Sequence, residues 1–189
     1  MSGKKLQYLV LHCTATPEGR EVYPDQVRMW HTDPLPLADG RFQYMGKVYE
    51  SVDALPKEVQ AKNRRGRGWK QVGYSDMIFI NQGLFINMVP YNEDNIVDAW
   101  ELTNGATGIN SISRHIVYVG GCDKQMNTKD TRTPEQRATM TQYVRNFIKR
   151  YPDIKVAGHN QFAQKACPSF DVPSWLQSIG VDEKNIYRP

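Results

Sequence analysis

No apolar run in this chain of 189 residues approaches the roughly 18 that a membrane-spanning helix needs, so no membrane insertion is expected. Cysteine is scarce. Cys13, Cys122 and Cys167 are three, so they cannot all pair with one another. An odd count without an export signal points to synthesis in a reducing compartment, the cytoplasm. Strong charge of one sign is missing as well. A formal net charge of +4 is mild, far from the density of a nucleic-acid arm, and no nucleic-acid partner is expected. Such a charge suits work near an anionic polymer such as a cell wall. Internal repeats and low-complexity tracts are absent. What remains is ordinary globular composition, with 40% hydrophobic residues and enough length for one domain, or one domain with a large insertion.

The N-terminal MSGKKLQYLVLHCTAT sets two lysines before a short apolar stretch. That stretch is too short for a secretory leader and no small-residue cleavage site follows, so it reads as the first strand, from Gln7 to His12. Asp25 to His31 reads as a short helix. Met77–Asn81 and Leu84–Val89 flank Gln82-Gly83 as a hairpin, and His115 to Val119 is another strand. Thr133-Pro134-Glu135-Gln136 is a helix start with a capping box and proline at the first helical position, and the helix should run to about Tyr151. Lys155 to Gly158 reads as a strand, and Pro173 to about Ile179 as a last helix. Interleaved strands and helices predict an α/β domain with a central, mixed sheet flanked by helices. Residues 33–66 differ in composition and read as an insertion into a single domain spanning 1–189.

Three residues stand out by type and place. His12 ends the first strand, His159 ends the last, and Cys167 follows in the next loop. Strand ends converge at one sheet edge, where distant side chains can meet. Imidazole and thiolate are zinc ligands, and three of them leave a fourth position open, as in catalytic sites. His159 lies 147 residues after His12 (159 − 12), which argues against a structural finger with its close ligand pairs. Alone, the set is weak, because a histidine at a strand end is commonly a hydrogen-bonded core residue.

The surrounding motifs decide the matter. LHCTAT, the helix ending in Trp30-His31, GWKQVGY, NSIS before a strand and Gly120-Gly121, and GHNQFAQKACPSFD occur in order. The series resembles the type-2 N-acetylmuramoyl-L-alanine amidases, which include phage lysozymes and, more distantly, animal peptidoglycan recognition proteins. KACPSFD is the most specific segment, and seven residues separate Cys167 from His159. The resemblance covers roughly 5–31 and 67–180 and leaves out 33–66.

It implies an amidase/peptidoglycan-recognition-like fold and hydrolysis of the amide between the muramic acid lactyl group and L-alanine in peptidoglycan. It places His12, His159 and Cys167 on the ligands of one zinc per chain. Tyr74 falls on a tyrosine facing the water at the metal, and Lys165 on a lysine two residues before the metal cysteine, suited to a developing oxyanion. Zinc in such a site polarises the amide carbonyl and lowers the pKa of a bound water towards about 7. Thr103 stands where many phage relatives carry histidine, and it and Asn104 are read as substrate contacts. Ser75 follows Tyr74 where the family often has histidine. Arg114-His115 falls outside the pattern, and His115 reads as a surface residue or one behind the ligands. Cys13 should turn away from the metal by strand alternation and pack as a small hydrophobe. Cys122 has no assigned role, and His31 reads as structural.

Within 33–66, Phe42, Tyr44 and Tyr49 lead towards Asn63-Arg64-Arg65. The stretch reads equally as a surface excursion or as a wall of the substrate groove, with aromatics on sugar rings and arginines on stem-peptide carboxylates. Rival functions are a peptidoglycan-binding protein without catalysis and an intracellular amidase recycling muropeptides. The binding branch lacks the metal cysteine, which is present here. A polymerase partner, a second role of phage lysozymes, is not testable from the sequence. The expected history is synthesis in the cytoplasm without a signal peptide, then action on the cell wall after release, as for an endolysin.

Overall fold

Five consecutive buried side chains, Leu9 to Cys13, make Tyr8–Cys13 a strand covered on both faces, which is why it reads as a continuous apolar run rather than an alternating one. The computed structural model describes residues 3–61 and 65–189; Asn63 and Arg64 lie outside them. The elements in chain order are β1 (Lys4–Lys5), β2 (Tyr8–Cys13), β3 (Thr16–Pro17), α1 (Pro24–Thr32), β4 (Leu35–Pro36), β5 (Phe42–Tyr44), β6 (Lys47–Tyr49) and α2 (Lys57–Gln60). They continue with β7 (Asp76–Ile78), β8 (Phe85–Asn87), β9 (Ile96–Val97), β10 (Ser113–Tyr118), β11 (Gly121–Cys122), α3 (Pro134–Arg150), β12 (Lys155–Gly158) and α4 (Val172–Ser178).

The chain divides into two compact units, residues 1–21 with 74–189, and residues 22–73. The larger unit holds a five-stranded sheet in the order β12-β2-β10-β7-β8. The first four strands are parallel, and β8 returns antiparallel to β7 through a 3₁₀ turn at Asn81–Gly83. This is the expected mixed α/β sheet, with the hairpin at the expected place.

Helix α3 begins where the capping box predicts. Gln136 N–H donates to Thr133 Oγ1 at 3.1 Å, and Thr133 N–H donates to Gln136 Oε1 at 3.0 Å. The same Gln136 side chain donates to the Val119 carbonyl at 2.9 Å, which ties the helix start to the end of β10. Met140, Val144 and Phe147, at helical spacing, pack on Leu9, Leu11, Ile78, Ile116 and Tyr118, and α4 adds Val172 and Leu176 to the same core. Burying each such side chain is worth about 1.5–3 kcal/mol. Asp76 and Arg114 form a two-pronged ion pair at 2.6 and 2.7 Å on this face, completed by the Tyr143 hydroxyl at 2.6 Å and Asn87 at 2.5 Å. The pair joins β7, β8, β10 and α3, which accounts for an arginine inside a buried strand.

In the smaller unit, β5 and β6 form a hairpin around Met45-Gly46, with β4 on its other edge. Tyr44 and Tyr49 face each other across it at 6.4 Å. His31, in the last turn of α1, is buried; its Nδ1 accepts the Gly73 N–H at 3.0 Å and its ring stacks on Trp69 at 4.9 Å. The histidine is therefore structural. This unit begins at Val22, so it includes α1 as well as the stretch 33–66. Among the described residues no helix is long and apolar enough to cross a membrane.

Candidate metal centre

β2 and β12 are adjacent and parallel, so their C-terminal ends lie together. His12 is the penultimate residue of β2, and His159 directly follows β12. The loop beyond His159 folds back on itself, because Asn160 N–H donates to the Cys167 carbonyl at 2.8 Å. The Cys13 N–H points at the Cys167 Sγ, 3.3 Å away. The result is a cluster of His12, His159 and Cys167 whose ligand atoms lie within 4.8 Å of one another.

The cluster fits zinc on its own geometry. His12 Nδ1 is 3.7 Å from Cys167 Sγ. A tetrahedral ion with bonds of roughly 2.3 Å to sulfur and 2.05 Å to nitrogen sets those two ligands about 3.6 Å apart. The donor set, two imidazoles and a thiol, is the one zinc favours. Burial followed by the charge of Lys165 pushes the pKa of His159 down to about 4, which keeps the imidazole neutral and its lone pair free. His12 is 1% exposed and its ring packs 4.7 Å from that of His159.

Two of the other expected residues, Tyr74 and Lys165, lie beside this cluster. Tyr74 is half-buried, with its ring 5.2 Å from that of His12. Lys165 is exposed on the same loop, and its charge reaches both His159 and Cys167. Thr103 is 2% exposed, and its hydroxyl has no hydrogen-bond partner among the described residues. Asn104 is exposed; its side-chain oxygen accepts from Asn110 at 3.4 Å.

Two further residues adjoin the cluster, and His115 takes the second of its two sequence readings, a place behind the ligands. His115 is fully buried, with its Nδ1 3.0 Å from His12 Nε2, so it is not a surface residue. Burial, then the charges of His159 and Arg114, pushes its pKa down to about 3. Cys13 is buried on the core face as alternation requires, but it is more than a packing group. Its backbone N–H meets the Cys167 Sγ at 3.3 Å and its thiol lies 3.5 Å from Ser169 Oγ, and interaction with the Cys167 side chain lowers the Cys13 pKa to about 7 while raising that of Cys167. Gly121, at φ +106°, passes so near that a Cβ there would lie 2.5 Å from the Cys13 Sγ. This close approach explains one glycine of the Gly120-Gly121 pair. Cys122 lies in β11, beside β3, and burial raises its pKa.

Known proteins resemble this chain in sequence and in fold. A family model described as N-acetylmuramoyl-L-alanine amidase matches residues 2–170. The endolysin of Enterobacteria phage K11 is 24% identical over 172 residues, covering 89% of this chain and 83% of that protein. The amidase LysC from Clostridium intestinale URNW has the same fold, with TM-score 0.57 and 17% identity over 95% of this chain and 88% of that one. The Ph2119 endolysin from the Thermus scotoductus MAT2119 bacteriophage Ph2119 gives TM-score 0.59 and 19% identity at the same coverages, 95% and 88%.

Proposed function

Because the chain belongs to the N-acetylmuramoyl-L-alanine amidase family and hydrolyses the amide between the muramic acid lactyl group and L-alanine of peptidoglycan, we propose that one zinc ion per chain, held by His12, His159 and Cys167, serves this reaction. One observation carries the reading: ligand atoms from residues far apart in sequence meet within 4.8 Å, at a spacing that suits zinc. Bound there, zinc supplies Lewis acidity and an activated water.

The chain's own residues supply the rest. Lys165 presents an ammonium beside the cluster, where it meets negative charge that develops on the carbonyl oxygen during attack. Its exposure leaves it free to swing onto substrate. Tyr74 lies beside His12, where its hydroxyl holds the attacking water or passes its proton. Asn104 is the member of the Thr103-Asn104 pair open to substrate, while Thr103 stays behind it. The likeness to phage endolysins supports action on the cell wall after release from the cytoplasm.

Mass spectrometry of products from purified peptidoglycan tests the assignment of the bond. Intact glycan strands carrying free lactyl carboxylates, with stem peptides bearing a free N-terminal alanine, are expected. Cleavage within the glycan or between stem residues would overturn it.

A further inference from the structure

We propose that His115 is the positioning residue of the metal centre, accepting the Nε2 proton of His12 and so holding His12 in the tautomer whose Nδ1 lone pair faces the ion. The inference rests on the reading that His12, His159 and Cys167 hold zinc. It concerns the step before chemistry, the state in which His12 waits for the metal.

The sheet register creates the contact. His12 on β2 is paired with Val117 on the parallel strand β10. His115 lies two residues earlier on β10, so its side chain emerges on the same face, diagonal to His12. The rings meet with Nε2 of His12 3.0 Å from Nδ1 of His115. The other nitrogen of His12, Nδ1, is the one 3.7 Å from Cys167 Sγ.

Proton bookkeeping then leaves one arrangement. A neutral imidazole has one donor and one acceptor nitrogen. If Nδ1 of His12 is to hold an ion, its proton is on Nε2. The partner must accept through Nδ1, which puts the proton of His115 on its own Nε2. That nitrogen is fully buried and has no hydrogen-bond partner among the described residues. A buried donor without a partner is costly, and its neighbours Ile116 and Val117 show that aliphatic side chains fit this strand. What an imidazole adds here is the acceptor aimed at His12. The backbone of His115 is fixed to match. Its N–H donates to Ser75 Oγ at 3.1 Å, and Ser75 N–H donates to its carbonyl at 2.8 Å. Ser75 directly follows Tyr74, so the same bonds brace the segment that carries the tyrosine. Partners of this kind set the tautomer and basicity of metal-bound histidines, and losing one typically costs roughly 10–100-fold in metal affinity.

The test uses three variants of the full chain. His115→Asn keeps an oxygen acceptor near the Nδ1 position. His115→Leu removes it, and His115→Gln moves its amide out towards Nε2; should the leucine variant not fold, the glutamine variant carries the comparison. Zinc affinity is read by competition with a chromogenic chelator. The His12 tautomer is read by long-range ¹H–¹⁵N NMR on chelator-treated protein. The expected result is roughly 10–100-fold weaker zinc binding and a mixed His12 tautomer in the leucine and glutamine variants. The asparagine variant should restore both the single tautomer and most of the affinity. Equal affinity in wild type and His115→Leu would overturn this inference alone. So would a loss in His115→Asn as large as in His115→Leu, which would make the residue a packing group. Wild-type protein that takes up no zinc would overturn the metal centre and this inference with it.

Discussion

Lys165 and Cys167 sit two positions apart in one loop, and in the proposed mechanism they serve the reaction at different moments. The cysteine is needed before substrate arrives; the lysine matters only while charge builds on the carbonyl oxygen. Lys165→Ala should therefore leave zinc bound and leave peptidoglycan binding nearly unchanged, while turnover falls by roughly 100-fold or more. Turnover close to wild type would make the lysine a solvated surface residue, and loss of zinc would make it a builder of the loop. At this scale the candidate ligand set is legible in the sequence through the ordered motifs that resemble the amidases, since residue type and strand-end position alone leave it weak. The contacts of His115 and Cys13 are legible only in part, since the sequence leaves His115 between the surface and a place behind the ligands. His115 meets His12 only because β10 pairs with β2 in one register, and a shift of one residue would send the ring to the other face. Cys13 meets Cys167 only because the loop after β12 closes on itself. Neither pairing leaves a trace in local sequence.

Among the elements, those with local signals are predictable and those held by distant partners are less so. Helix α3 declares itself by Thr133, Pro134 and Gln136, and β12 and the β7–β8 hairpin by short apolar runs between turn residues. β11 and β3 are two residues each and pair with one another across a long stretch of sequence, so nothing local marks them. Helix α1 shows how one side chain fixes an element end. His31 accepts the Gly73 N–H from its last turn, and burial, followed by the charge of Arg67, holds its pKa at about 4 against an ordinary 6.5. Folded protein keeps this ring neutral while unfolded chain takes up a proton below pH 6.5. Stability should hence be unaffected by this group above that pH, fall as pH drops from 6.5 towards 4, and level off below. The full loss is about 3 kcal/mol. Thermal melts across this window should show the decline in wild type and a flatter profile in His31→Gln. Equal slopes in the two proteins would contradict the account.

At the scale of the whole molecule, the catalytic sheet and its core belong to one unit. The described members of the hydrophobic cluster beneath the sheet all belong to the larger unit, as do His12, His159 and Cys167, the residues proposed to hold zinc. We therefore treat residues 33–66 as an insertion. Replacement of 36–64 by a short glycine-serine linker should leave a cooperative melt and an intact metal centre. Loss of all folded signal would mean that the segment is integral to the domain. The aromatics Phe42, Tyr44 and Tyr49 make a second prediction possible on the same protein: if this stretch walls the substrate groove, the shortened protein should bind zinc as before but bind peptidoglycan less well.

The central claim is that the amidase works through one zinc ion on His12, His159 and Cys167, and elemental analysis coupled to activity tests it most directly. Purified wild-type protein should carry one zinc per chain, lose amidase activity when a chelator strips the ion, and recover it when zinc is returned. Cys167→Ser, which replaces a thiolate by a hydroxyl that ligates zinc poorly at neutral pH, should lose most of both metal and activity. Full activity in protein shown to contain no metal, or a full zinc complement in Cys167→Ser, would contradict the account.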